Sequence, residues 1–144
     1  FPALVRRALR RGLHQVWLRF EPETLPPGAY ILASNHHSWW DLYLAFALTR
    51  TLGRPVNGLM LEGTLERFPF FRHLGVLPTS ATRAALRRLR AGEILQLFPE
   101  GELRPAGPVA ALAPGLEFFA AQAGVPVVPL ALRVALRGAE RPEA

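Results

Sequence analysis

An α/β domain, with a mainly parallel central sheet flanked by helices, is the architecture this sequence predicts. Three observations predict it. Short apolar runs of strand length alternate along the chain with longer segments of helical density, the pattern of βαβ units. Turn residues separate them: Pro26-Pro27-Gly28, Gly53-Arg54-Pro55, Gly92 and Gly124 each fall between one run and the next. The chain has 144 residues, which is enough for one core and leaves no room for a second.

Residues 3–20 open the chain with a helical pattern. Val5, Leu9, Gly12, Leu13, Val16 and Phe20 share one stripe, and Arg6, Arg7, Arg10, Arg11 and His14 lie opposite. The arginine face and Trp17 near its edge predict that residues 1–20 are a basic amphipathic helix associating with a membrane surface, and residues 21–144 the α/β domain. Packing of the apolar stripe on the domain core is the alternative. Glu21-Pro22-Glu23 ends the helix, and Pro26-Pro27-Gly28 turns the chain into a buried strand at 29–33.

Residues 42–48 have the apolar density of a helix that ends near Thr51, and residues 56–61 form the second strand. Phe68-Pro69-Phe70-Phe71, with His73 close behind, serves either as ordinary core or as the wall of an apolar cleft. A third strand at 76–78 precedes a helix over 81–91, closed by Gly92. On that helix Arg83, Arg87 and Arg90 form one stripe, either a solvated face or an anion dock. Residues 93–98 make a strand running directly into a Pro-Glu-Gly turn. Residues 114–123 are a helix ending at Gly124, and 126–132 the last buried strand.

The net charge of +6 comes from 17 arginines and no lysine. Such a surface favours anionic partners: phospholipid surfaces, coenzyme phosphates, an acidic carrier protein or nucleic acid. Nucleic acid is disfavoured, because the arginines are not interleaved with aromatics and no known binding motif is present. Half of the residues are hydrophobic, yet no run reaches the roughly 18 apolar residues a spanning helix needs, so the chain is expected to rest on a membrane and not to cross it. With no cysteine there is no disulfide and no thiol chemistry. The chain begins at Phe1 instead of an initiator methionine, as expected of a fragment of a longer protein.

The stretch from Leu32 to Asp41 places a histidine and a carboxylate five residues apart where a strand becomes a helix. In a regular helix such residues point about 140° apart, so His36 must lie outside the helix to reach Asp41. A helix starting after Ser38, with Asp41 in its first turn, lets the carboxylate accept a hydrogen bond from the imidazole: a general base with its orienter. Asp41 is the only aspartate in the chain. The plainer reading of Ser38-Trp39-Trp40-Asp41 is a capping box, and the two are compatible. His36, His37 and Asp41 do not suggest a metal, since no third histidine sits at ligand spacing.

Asn35-His36-His37-Ser38-Trp39-Trp40-Asp41 resembles the N-H-x-x-x-x-D motif of the glycerolipid acyltransferases typified by 1-acylglycerol-3-phosphate acyltransferase. Phe98-Pro99-Glu100-Gly101 resembles the F-P-E-G of that family, and Val125-Pro126-Val127-Val128-Pro129 its V-P-[VI]-[VI]-P block, in the same order. The resemblance runs from about Tyr30 to Leu132. It implies an O-acyltransferase of lipid or phospholipid biosynthesis, peripheral on the cytoplasmic face of a membrane. The fatty acyl group would move from acyl-CoA or acyl-carrier protein to a lipid hydroxyl, that of lysophosphatidic acid or a related glycerolipid or glycolipid alcohol, with no further cofactor and no metal. His36 and Asp41 would be catalytic, and Glu100 and Gly101 would bind the acceptor, the glutamate by accepting from a hydroxyl and the glycine by permitting close backbone approach.

The chain departs from the family at two places. After F-P-E-G it carries Glu102-Leu103-Arg104, so leucine stands where the family has a phosphate-binding arginine, and Gly75-Val76-Leu77-Pro78-Thr79-Ser80-Ala81 lacks the arginine usual after the middle motif. Arg83 and Arg104 are the candidate substitutes in acceptor binding. Losing a bidentate phosphate ligand while gaining Glu102 argues for an uncharged lipid alcohol, such as a glycolipid, over lysophosphatidic acid. A non-catalytic lipid-binding protein of the same fold is the competing reading, and the intact His36 and Asp41 weigh against it.

Overall fold

The alternating apolar runs form five parallel strands among the residues described, in a computed structural model that covers residues 2–19, 25–109 and 111–135. The strands are β1 (Ile31–Ser34), β2 (Val56–Met60), β3 (Val76–Pro78), β4 (Ile94–Leu97) and β5 (Val127–Leu130). The helices are α1 (Pro2–Gly12), α2 (Asp41–Thr51), α3 (Glu62–Arg67), α4 (Thr82–Arg90) and α5 (Gly115–Ala123), with a 3₁₀ helix at Pro69–Leu74. The sheet order is β3-β2-β4-β1-β5, every pair parallel.

This order fixes which face each helix covers. The chain moves toward β3 through α2 and α3 and back toward β5 through α4 and α5. Right-handed crossovers therefore put the two sets on opposite faces. The core divides accordingly. Leu42, Tyr43 and Phe46 of α2, Leu65 of α3 and Phe71 of the 3₁₀ helix are buried together on one face. Ala85 and Leu89 of α4 and Phe119 of α5 pack with Ile31, Leu95 and Leu97 on the other. Alternation along β1 and β4 does the sorting, because Tyr30, Leu32 and Ile94 form a separate cluster with Leu48 of α2.

Three features differ from the sequence expectation, and two resolve alternatives it left open. The first helix ends at Gly12, short of residue 20; Leu13–Arg19 leaves the helix, and the rest of that expectation, Phe20 to Glu23, lies outside the described residues. At Gly12 a Cβ would sit 2.1 Å from the Trp40 ring, so the chain passes that indole without a side chain. Val5 of α1 is buried in the α2 core, which is the packing alternative for the apolar stripe, while Arg6, Arg7, Arg10 and Arg11 stay exposed.

β5 is not fully buried. It pairs with β1 alone among the described strands, so Val128 and Leu130 pack inward while Val127 is 40% exposed. α3 was not foreseen, being a six-residue helix too short to display a period. The Phe68–Phe71 aromatics are core: Phe71 is 1% exposed and meets Tyr43, Trp39, Phe68 and Phe70.

Candidate active site

β1 and β4 are neighbours in the sheet, and both run toward the same edge, so the loops that follow them are brought together there. Asn35-His36-His37 leaves β1, and Phe98-Pro99-Glu100-Gly101 leaves β4. The carboxyl edge of a parallel sheet is where such folds bind ligands. The two loops are stitched directly: the His36 backbone N–H donates to Glu100 Oε1 (3.1 Å), and the His36 carbonyl accepts from the Arg104 N–H (2.9 Å).

The imidazole of His36 lies on the Phe98 ring, centroids 4.2 Å apart and 22° from parallel. Its Nδ1 is 3.1 Å from Asp41 Oδ2. Asp41 is fully buried, and the same oxygen accepts the backbone N–H groups of His37 (2.7 Å) and Ser38 (2.9 Å). A buried carboxylate requires such donors. With Nδ1–H committed to the carboxylate, the tautomer leaves Nε2 without a proton and able to accept one.

The turn that permits this is local. Ser38 Oγ accepts the Trp40 N–H (3.1 Å), and the Asp41 N–H donates to the Ser38 carbonyl (3.1 Å). The Ser38–Asp41 back-bond of a capping box therefore forms, in a turn just ahead of α2, whose first residue is Asp41. The serine hydroxyl meets Trp40, one residue earlier than a capping box requires. Trp40 packs beside Tyr43, and Trp39 stands edge-on to Phe68 and Phe71, so both indoles have packing roles at the helix start.

The four acceptor-binding candidates fall in different places. Glu100 Oε1 is engaged by the His36 N–H and so joins the two motifs. Gly101 adopts φ 77°, and nothing in the chain lies within 4 Å of where its Cβ would be; the left-handed turn, and not close packing within the chain, is what calls for glycine there. Arg104 reaches the site through its backbone, while its guanidinium pairs with the Glu102 carboxylate. Arg83 is exposed on α4, and among the described residues no hydrogen bond or ion pair joins it to the His36 loop.

Two residues at the site escaped the sequence reading of roles. Asn35 and His37 anchor the loop to the segment after β5: Asn35 bonds both backbone groups of Leu132, and His37 Nε2 accepts the N–H of Val134. Both adjacent histidines turn Nδ1 toward Asp41, at 3.1 Å for His36 and 3.8 Å for His37.

At the same edge Glu62 accepts from Thr79 Oγ1 (2.8 Å) and the Ser80 N–H (2.9 Å), tying the ends of β2 and β3. Hydrogen bonding from Ser80, then Thr79, holds its carboxyl down at about 2. In the core, burial pushes the Tyr30 and Tyr43 hydroxyls above their ordinary value, Arg54 partly opposing the shift at Tyr30 and a bond from Trp39 at Tyr43.

Residues 18–133 match the sequence model of the family described as acyltransferase. A crystal structure of the 1-acyl-sn-glycerophosphate (LPA) acyltransferase PlsC from Thermotoga maritima superposes with a TM-score of 0.66 at 24% sequence identity, covering 89% of this chain and 53% of that one. That likeness is one of fold, and this chain spans about half the length of the protein it resembles. No curated protein sequence matches it.

Proposed function

The chain belongs to the acyltransferase family, and from that premise we propose that it transfers a fatty acyl group from acyl-CoA or acyl-carrier protein to a lipid hydroxyl, with His36 as general base and Asp41 as its orienter. The observation that carries the reading is the 3.1 Å contact of His36 Nδ1 with the buried Asp41 carboxylate, which leaves Nε2 as a proton acceptor. Nε2 takes the hydroxyl proton as the alcohol oxygen attacks the thioester carbonyl carbon. The C–S bond then breaks, and the imidazolium returns the proton to the departing thiolate. Asp41 stays ionised throughout, holding the tautomer and stabilising the imidazolium. No group on the protein needs to be acylated, in keeping with a chain that has neither cysteine nor a G-x-S-x-G elbow.

Glu100, Gly101 and Arg104 border the acceptor in this reading, with Arg83 the remaining candidate. The acceptor's reacting end is uncharged, because Leu103 is 53% exposed where the family carries its arginine and the Arg104 guanidinium is already paired with Glu102. The protein works at a membrane surface on the cytoplasmic side, with residues 1–20 as its contact. No helix among the described residues is long and apolar enough to cross a membrane. Trp17 is 83% exposed, with Val16 and Leu18 beside it and the arginines of α1 preceding them. Aromatic and basic groups side by side suit an interface. A screen of lipid acceptors with radiolabelled palmitoyl-CoA and palmitoyl-acyl-carrier protein tests the activity. Absence of acyl transfer to every lipid alcohol, with the fold intact, would overturn it.

A further inference from the structure

Backbone pairing between β1 and β5 stops at Ser34 opposite Leu130. It must stop there, because the next residues turn to bring Asp41 back toward His36. Pairing nonetheless continues through side chains. Asn35 Nδ2 donates to the Leu132 carbonyl (2.9 Å) and Oδ1 accepts the Leu132 N–H (2.7 Å), so one amide side chain satisfies both backbone groups of the neighbouring segment. Two residues farther along each segment, His37 Nε2 accepts the Val134 N–H (2.9 Å). The two rungs keep one register, 35 with 132 and 37 with 134.

The tautomer of His37 follows. A neutral ring has one unprotonated nitrogen, and the Val134 N–H fills it, so the proton sits on Nδ1, facing Asp41 Oδ1 at 3.8 Å. The Asn35 amide nitrogen lies 3.1 Å from the same Nδ1 while donating to Leu132, so with this tautomer two N–H groups face one another there. His37 is nearly as buried as the core, its side chain 7% exposed.

His36 lies between these two anchors, tied by its backbone to the other flank, Glu100 and Arg104. The loop is thus held from the β5 side by the side chains of 35 and 37 and from the β4 side by the main chain of 36. We propose that Asn35 and His37 are positioning residues for the His36 base, supplying by side chain the rungs that the backbone gives up at the turn; this rests on the reading of His36 as base. The residues they grip, Leu132 and Val134, also wall a cavity of about 1250 Å³ bounded by the Leu13–Arg19 segment and α2, so the same rungs set the base in register with that wall.

Three variants separate hydrogen bonding from bulk. His37→Leu keeps apolar volume without an acceptor, His37→Gln places an oxygen near the position of Nε2, and Asn35→Asp keeps shape but turns a carboxylate oxygen against the Leu132 carbonyl. The first readout needs no substrate: in ¹⁵N-histidine-labelled protein, the His36 Nδ1–H resonance should be sharp in wild type and His37→Gln and lost to exchange in His37→Leu and Asn35→Asp. The second is turnover with palmitoyl-CoA as donor. There kcat should fall by about 10- to 100-fold in the two disrupting variants, with KM for palmitoyl-CoA within about two-fold, as a base misplaced by an ångström or less predicts. His37→Gln should restore kcat.

A His37→Leu protein with wild-type resonance and kcat overturns the proposal. If His37→Leu does not fold, His37→Gln decides alone, and a missing resonance or a kcat ten-fold or more down (about 1.4 kcal/mol) overturns it equally. His36→Ala is run alongside. Full turnover in that variant would sink the base reading, while the resonance comparison still judges whether Asn35 and His37 hold the ring.

Discussion

Asp41 Oδ2 sits 3.1 Å from His36 Nδ1 while also accepting the backbone N–H groups of His37 and Ser38, so one buried oxygen both orients the ring and shapes the loop that carries it. The two roles predict different losses on substitution. His36→Ala removes the proton acceptor and should abolish transfer, a loss of at least about 10²–10⁴-fold. Asp41→Asn keeps an oxygen for the two N–H groups but removes the charge that stabilises the imidazolium, so a small residual activity should survive. Turnover of the purified variants, with circular dichroism to confirm the fold, checks both; near wild-type activity in His36→Ala would refute the mechanism.

Glu62 predicts a pH dependence of stability. Its carboxyl is held at about 2, against an ordinary value of 4.5, chiefly by hydrogen bonds from Ser80 and Thr79. A depressed folded value contributes stability that is present above 4.5 and disappears as pH falls through about 2. Glu62→Gln should therefore melt below wild type at neutral pH, and the gap should close as pH is lowered toward 2. Melting curves across that range check it. A gap independent of pH would assign the difference to packing.

Why some features were legible in the sequence and others were not follows from the physics of each. The strands at Ile31–Ser34, Val56–Met60 and Ile94–Leu97 and the helix closed by Gly124 were legible because local pattern determines them. The His36–Asp41 contact was legible as well, because a five-residue separation across a helix start constrains the turn. The close pass of Gly12 under the Trp40 ring was not, since its partner lies far along the chain. Nor was the half-exposure of β5, which depends on its place at the sheet edge and not on its own apolar residues. The roles of Asn35 and His37 likewise depend on partners 97 residues away. The period-two continuation of β1 through 35 and 37 was the one local hint.

Membrane attachment is predicted to reside in the arginine face of α1 and the exposed Val16-Trp17-Leu18. Because Val5 is part of the core, deleting residues 1–20 would damage the domain, and point changes are the sounder test. Charge reversal at Arg6, Arg7, Arg10 and Arg11, all exposed, should abolish co-sedimentation with anionic liposomes. Trp17→Ala should weaken it, and raising salt toward about 1 M should weaken wild-type binding as screening grows. Binding that ignores both salt and the reversals would place the contact elsewhere.

The acceptor site is where this chain departs most from its family. A phosphate monoester carries nearly two negative charges and typically needs fork-shaped donors to offset its desolvation. Leu103 offers none, and the Arg104 guanidinium is turned to Glu102. That pair is largely exposed, its side chains 45% and 63% accessible, so the link itself is weak and screened. What opposes a phosphate is then the Glu102 carboxylate together with the missing fork at 103. Wild type should prefer a neutral monoacyl glycolipid over lysophosphatidic acid. Glu102→Thr combined with Leu103→Arg should shift the preference toward the phosphate, by about ten-fold or more in relative kcat/KM if the new guanidinium gains a charge-assisted pair of the usual 1.5–3 kcal/mol. Side-by-side kcat/KM values on the two acceptors decide the matter, and a clear wild-type preference for lysophosphatidic acid would return the site to the ordinary chemistry of its family.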